Sequence, residues 1–192
     1  MGKKILLTLG SVFLGYRSYE LITSWGNMPL EPLFSKFIMA FLANLFILGV
    51  FAFLGFAWPT FKLLPDRYYQ INNPKNLLSF TKRIGVPVFQ KFLLLTFWRN
   101  KAKQKSYFNG SKTGIKNFII ELKRSEIGHL IPFILINLLF IWSLILKDFW
   151  TAFFLQSLNI IGNFYPIMLQ RAHRARTQRL EKLLKDSTSN SI

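Results

Sequence analysis

The chain has 192 residues, 25 Lys+Arg against 8 Asp+Glu, and no Cys; 51% of its residues are hydrophobic and 21 are Phe. A mean hydropathy of +0.28 beside a net charge of +17 excludes an ordinary soluble domain. It fits apolar blocks that span a bilayer, with the charges in the loops between them. Without Cys, zinc–thiolate sites, disulfides and thiol nucleophiles are excluded.

A spanning helix needs about 20 mostly apolar residues. Residues 5–25 form a first candidate, weakened by Arg17 and Glu20, which stand i, i+3 on one helical face and can pair. Lys3, Lys4 and the run ILLTLGSVFLG also resemble a signal peptide, but the small-x-small cleavage site is poor, and an uncleaved helix is expected. Residues 37–58 form a second span without one charge, stopped by Pro59. Residues 127–146 and 149–170 form a third and a fourth, separated by Lys147 and Asp148 alone in a tight hairpin.

The N-terminus, residues 61–124 and the tail from Arg171 together hold 22 of the 25 basic residues. Cytoplasmic segments collect Lys and Arg. The expected protein is an all-α integral membrane protein: about four transmembrane helices in one membrane domain spanning 1–192, multi-pass in the cell membrane with both termini cytoplasmic. A basic cytoplasmic loop covers 59–126, and a basic tail covers 171–192. In the loop, residues 86–98 are apolar but too short to span, which predicts an interfacial helix with Lys82, Arg83, Lys91 and Arg99 toward lipid head groups. Residues 101–116 follow as a basic stretch with turn signals at Asn109-Gly110 and Gly114, suited to anionic lipid. Residues 186–192 are expected to fray. Nucleic-acid binding is disfavoured, because the aromatic residues lie in apolar runs rather than among the lysines.

Ionisable or amide side chains at membrane depth point to function. Glu126 and His129 stand i, i+3 at the start of the third span, and Glu121 and Arg124 repeat that spacing one turn earlier. A carboxylate beside an imidazole can make His129 a better general base. Pro132 loosens the helix just beyond. The fourth span carries Asn159, Asn163 and Gln170 on roughly one face, followed by Arg171, His173, Arg174 and Arg176. Arginines suit phosphate and carboxylate. Taken singly, these arginines also fit stop-transfer charge, Asn163 fits helix–helix bonding, and His129 fits a satisfied interfacial histidine. Their expected convergence at the cytoplasmic face favours a site. Two His and few carboxylates leave no metal site in view.

The string E-x-K-R-x-E-I-x-H, a hydrophobic hairpin, then N-x-Y-P-I-M-x-Q-R-x-x-R-x-R resembles the glycosyl-4,4'-diaponeurosporenoate acyltransferase family over about 97–184, including Trp98-Arg-x-Lys. These are small bacterial membrane proteins of staphyloxanthin-type carotenoid synthesis, which attach a fatty acyl chain to the sugar of a glycosylated carotenoid. The resemblance does not extend over the first two spans. It implies functional roles for Glu121, Arg124, Glu126, His129, Asn163, Gln170, Arg171, Arg174 and Arg176. His173 departs from the Asn usual at that place in the family.

The resemblance implies a membrane acyltransferase that moves a fatty acyl group to a hydroxyl of a glycosylated lipid, a glycosyl carotenoid among the candidates. The co-substrate would be acyl-CoA or an acyl carrier, with no cofactor bound. His129, oriented by Glu126, would deprotonate the hydroxyl, and Asn163 would hold the oxyanion or the sugar. Glu121, Arg124, Gln170, Arg171, His173, Arg174 and Arg176 would bind substrates. The H-x4-D acyltransferase signature is absent, since Ile134 and Gln178 stand five residues after the two histidines. Two alternatives remain open: a methyltransferase-like membrane enzyme, and a non-enzymatic subunit that binds anionic lipid or a partner protein. The acceptor, the acyl length and the oligomeric state are not set by the sequence.

Overall fold

The computed structural model describes residues 1–25, 32–96 and 112–189, with side chains for all of these except 112–113 and 180–189. The described residues are mostly helical, and there is no strand among them. The elements are α1 (Gly2–Ser24), α2 (Leu33–Ala57), a 3-10 turn (Thr60–Leu63), α3 (Asp66–Tyr69), α4 (Pro74–Arg83), α5 (Val86–Thr96), α6 (Lys112–Ile145), α7 (Phe149–Asn159), a π turn (Ile160–Phe164) and α8 (Tyr165–Ser189). They fall into two compact units, 1–62 with 124–167 and 63–123 with 168–192.

In the first unit α1 packs along α2, and α2 along α7. Small residues permit the close approach. Thr8 accepts from the Trp58 indole at 3.1 Å at one end of the α1–α2 pair. Further along, a Cβ on Gly10 would stand 2.9 Å from the Phe53 ring, and one on Gly49 would meet Leu14 at 2.5 Å. The core between α1, α2, α6 and α7 is Trp25, Met39, Ala40, Ala43, Ile47, Ile136 and Leu155. Exposed Leu, Ile, Phe and Trp cover the outer faces of the helices.

Three helical stretches are long and apolar enough to cross a membrane: Leu33–Ala57, Gly114–Ile145 and Phe149–Arg179. The expected first span is a helix of 23 residues but is not among them. Arg17 and Glu20 lower its hydropathy, and they pair as their spacing predicts. The helix that carries the third expected span begins well before residue 127, since α6 runs without a break from Lys112. The helix of the second ends at Ala57, and Trp58 is extended before Pro59.

The 146–148 hairpin is tight. Lys147 takes φ 59°. Asp148 caps α7 through the Thr151 N–H at 3.3 Å and accepts from the Thr151 hydroxyl at 2.6 Å. It also pairs with Lys36 on α2 at 2.9 Å. Burial pushes its carboxyl up, but the bonds from Thr151 and Lys36 outweigh that and hold it below the ordinary Asp range.

In the second unit Asn73 caps α4, accepting from the Asn76 N–H at 3.1 Å, with Pro74 at the first helical position. Gly85, at φ +82°, divides α4 from α5, a left-handed conformation that suits glycine. A short apolar helix stands where the interfacial one was expected: α5, 11 residues long, with Val88, Phe92 and Leu95 exposed. Residues 97–111, including Trp98, Arg99 and the Asn109-Gly110 turn signal, lie outside the described residues, as do residues 26–31. The tail is helical to Ser189, so the fraying expected from 186 does not begin there; residues 190–192 lie outside.

Candidate active site

Two polar clusters form, one in each unit. The first begins with a break in the helical ladder between α7 and α8. Pro166 has no N–H to give the Gly162 carbonyl, its α-helical partner four residues back. The chain widens by one residue into a π turn, where the Tyr165 N–H bonds the Ile160 carbonyl. Such turns are frequent at functional sites. The freed Gly162 carbonyl borders the imidazole of His129. Pro132 acts in the same way on α6, withholding a donor from the carbonyl of Gly128.

Around these breaks the amides line up. Asn159 donates from Nδ2 to the Phe133 carbonyl at 3.1 Å. Asn163 donates from Nδ2 to Asn159 Oδ1 at 2.9 Å. Asn163 Oδ1 in turn faces His129 Nδ1 at 3.3 Å. Asn159 and Asn163 are 0% and 1% exposed. Buried polar groups of this kind must bond one another, because water does not reach them. His129 keeps part of its surface exposed.

His129 thus has the Asn163 amide oxygen as a partner at Nδ1. Glu126 is 0% exposed, three residues before His129 on α6. Arg124 belongs to the same unit, where its side chain lies close to Gly55 of α2.

The second cluster centres on Tyr69, which is 2% exposed. Its carbonyl accepts from Arg174 Nε at 3.1 Å and from Gln178 Nε2 at 3.4 Å. Gln178 Oε1 accepts from the Ile71 N–H at 3.2 Å. Two cations face the Tyr69 ring, Lys123 at 4.9 Å and Arg174 at 5.2 Å. Lys123 also reaches Asp66 at 2.7 Å and holds the Asp66 carboxyl below its ordinary range. Arg171 lies over Tyr68 at 5.4 Å.

The arginines therefore differ. Arg174 is 1% exposed and tied to a backbone carbonyl, Arg171 is half-buried on a ring, and Arg176 is exposed. His173 meets the edge of Phe118 with 6.0 Å between ring centroids. Gln170 and Glu121 are half-buried in this unit.

The structure brings His129 and Asn163 together, and Asn159 with them. Sequence reading noted Asn159 but gave it no role. The signal lay in N-I-I-G-N-F-Y-P: two amides four apart, with a proline placed to free the carbonyl between them. Tyr69 and Gln178 carried no comparable signal, because the contact that matters is to a backbone carbonyl, and Lys123 carried none because its partners Asp66 and Tyr69 lie more than 50 residues away.

The sequence profile of the glycosyl-4,4'-diaponeurosporenoate acyltransferase family matches residues 65–183, most of the chain. The match starts earlier than the motif resemblance at 97 and takes in α3, α4 and α5. No curated protein and no solved structure matches the chain.

Proposed function

The chain belongs to the glycosyl-4,4'-diaponeurosporenoate acyltransferase family, and from that premise we propose that it transfers a fatty acyl group to a sugar hydroxyl of a glycosylated lipid of the carotenoid type. Acyl-CoA or an acyl carrier is the donor. The observation that carries the chemistry is the imidazole of His129 held by Asn163 at 3.3 Å within an apolar helix pair.

With Nδ1 donating to Asn163, Nε2 keeps a lone pair and acts as the general base. It takes the proton of the acceptor hydroxyl as the oxygen attacks the acyl carbonyl carbon. The C–O bond forms, the thioester C–S bond breaks, and the imidazolium returns the proton to the departing thiolate. Glu126 supports this site in the reading. Arg171 and Arg176 serve the donor's phosphates, both being less buried than Arg174 in the same basic run. Arg174 is committed to Tyr69.

The protein spans the cell membrane four times in this reading, with both termini in the cytoplasm. Support comes from the basic residues of the N-terminus, the 61–124 segment and the tail, and from α1. At 23 residues α1 reaches about 35 Å, enough for a bilayer core of about 30 Å. It packs along α2, itself apolar enough to cross.

Glycolipid extracts from cells with wild type, His129→Ala or no copy, compared by mass spectrometry at matched membrane levels, test the reading. A general base contributes about 10²–10⁴ in rate, so the acylated product should fall to the level without the gene. Retained product in His129→Ala would sink the base assignment.

A further inference from the structure

We infer that Asn159 is a positioning residue for His129: acting through Asn163, it decides which ring nitrogen carries the proton. The inference rests on the proposed base role of His129 for its catalytic consequence, but not for its first measurement.

The direction of the relay is set at its far end. A backbone carbonyl can only accept, so the Asn159 group 3.1 Å from the Phe133 oxygen must be Nδ2. That turns Asn159 Oδ1 toward Asn163. The Asn163 group 2.9 Å from it must then be a donor, Nδ2. Asn163 Oδ1 is thereby turned toward His129, and the ring nitrogen 3.3 Å away must carry hydrogen. Flipping either amide would set donor against donor or acceptor against acceptor in a site from which water is excluded.

The anchor is itself held. The Phe133 carbonyl also accepts from Asn137 Nδ2 at 2.7 Å. At the other end the Gly162 carbonyl, released by Pro166, adds a second acceptor beside the imidazole. The π turn starts directly after Asn159 and contains Asn163, and it keeps both amides in one relay. The result is a His129 with hydrogen on Nδ1, so that in the neutral ring Nε2 carries the lone pair before substrate arrives.

The test uses the full-length protein in detergent with ¹⁵N-labelled histidine. Only two histidines are present, and His173 serves as an internal reference for folding. Wild type should show His129 protonated at Nδ1 and bare at Nε2. Asn159→Leu should give a tautomer mixture and lower kcat by about 10- to 100-fold, a part of what a general base supplies, with KM for acyl-CoA within about twofold. Asn159→Asp still offers an acceptor to Asn163 Nδ2, and should keep the tautomer and most of kcat. A role confined to tying helices through Phe133 predicts equal damage from Leu and Asp, and that equality would overturn the inference. So would hydrogen on Nε2 in wild type, a measurement that needs no variant, or an unchanged tautomer in Asn159→Leu with His173 in place. If His129→Ala keeps transfer, the base reading falls while the spectra still decide the relay.

Discussion

Arg174 offers the sharpest separation between a ligand-binding and a structural arginine. Its side chain is 1% exposed, its Nε–H bonds the Tyr69 carbonyl at 3.1 Å, and its guanidinium lies 5.2 Å from the Tyr69 ring. Arg174→Met keeps the volume and removes both contacts. Losing a hydrogen bond from a charged donor costs about 1.5–3 kcal/mol, and losing the cation–π contact costs about 0.5–2 kcal/mol. Against these stands relief from burying a charge. The Tyr69 carbonyl also keeps the Gln178 amide at 3.4 Å, so it is not left bare. A net loss of about 1–3 kcal/mol follows, or about 3–10 °C in melting temperature for a chain of this size. Tryptophan fluorescence melts in detergent measure it, and limited proteolysis shows whether 63–85 opens. Arg176→Gln is the control: exposed, it should melt within about 1 °C of wild type, as surface substitutions do, and raise KM for acyl-CoA. If Arg174→Met melts like wild type and loses only donor affinity, the clasp on Tyr69 is refuted and Arg174 is a ligand.

Pro166→Ala returns an N–H to the Gly162 carbonyl and should convert the π turn to α-helix, turning Asn163 away from His129. We expect equal or higher thermal stability with transfer reduced at least about tenfold, in line with loss of an oriented base; full activity would remove the π turn from the mechanism. Asp148 predicts a pH effect at the hairpin. Its carboxyl lies below the ordinary range in the folded chain, since the bonds from Thr151 and Lys36 prevail over burial. Its contribution to stability is therefore complete above the unfolded value near 4 and is lost as pH falls through the lowered folded value. Melting temperatures of wild type and Asp148→Asn, followed downward from pH 6, should converge in that window; a gap that widens toward acid would contradict the assignment.

Much of this was legible in the residues. Charge-free runs, Pro59 and the Lys147-Asp148 break mark the helices, because bilayer thickness sets length and proline sets ends. The i, i+3 spacing announces the Arg17–Glu20 pair. The 34-residue extent of α6 was not legible, since its polar first turns read as loop. They are helical within a unit that buries Ile115 and Leu122. The two fates of Arg174 and Arg176 were equally hidden. Two residues apart in one basic run, they differ only in which face of α8 is covered, and a basic run carries no such information. Glu126 and His129 were legible as a pair by spacing, whereas the Asn163 amide at His129 Nδ1 was not, because it comes from a residue 34 positions away.

An amide at His129 Nδ1 has a physical rationale. An orienting carboxylate works while ionised, and an ion inside an apolar helix pair carries a large desolvation cost. Amides fix the tautomer by direction alone, with no charge to bury. They also stabilise the imidazolium less than a carboxylate does. The proton taken from the acceptor is then held weakly and is readily passed to the leaving thiolate, which the second half of an acyl transfer requires. The prolines complete the device, because a released carbonyl supplies local polarity at no cost in charge. In this chain Pro166 releases the carbonyl that borders His129, three residues after Asn163 in the same run.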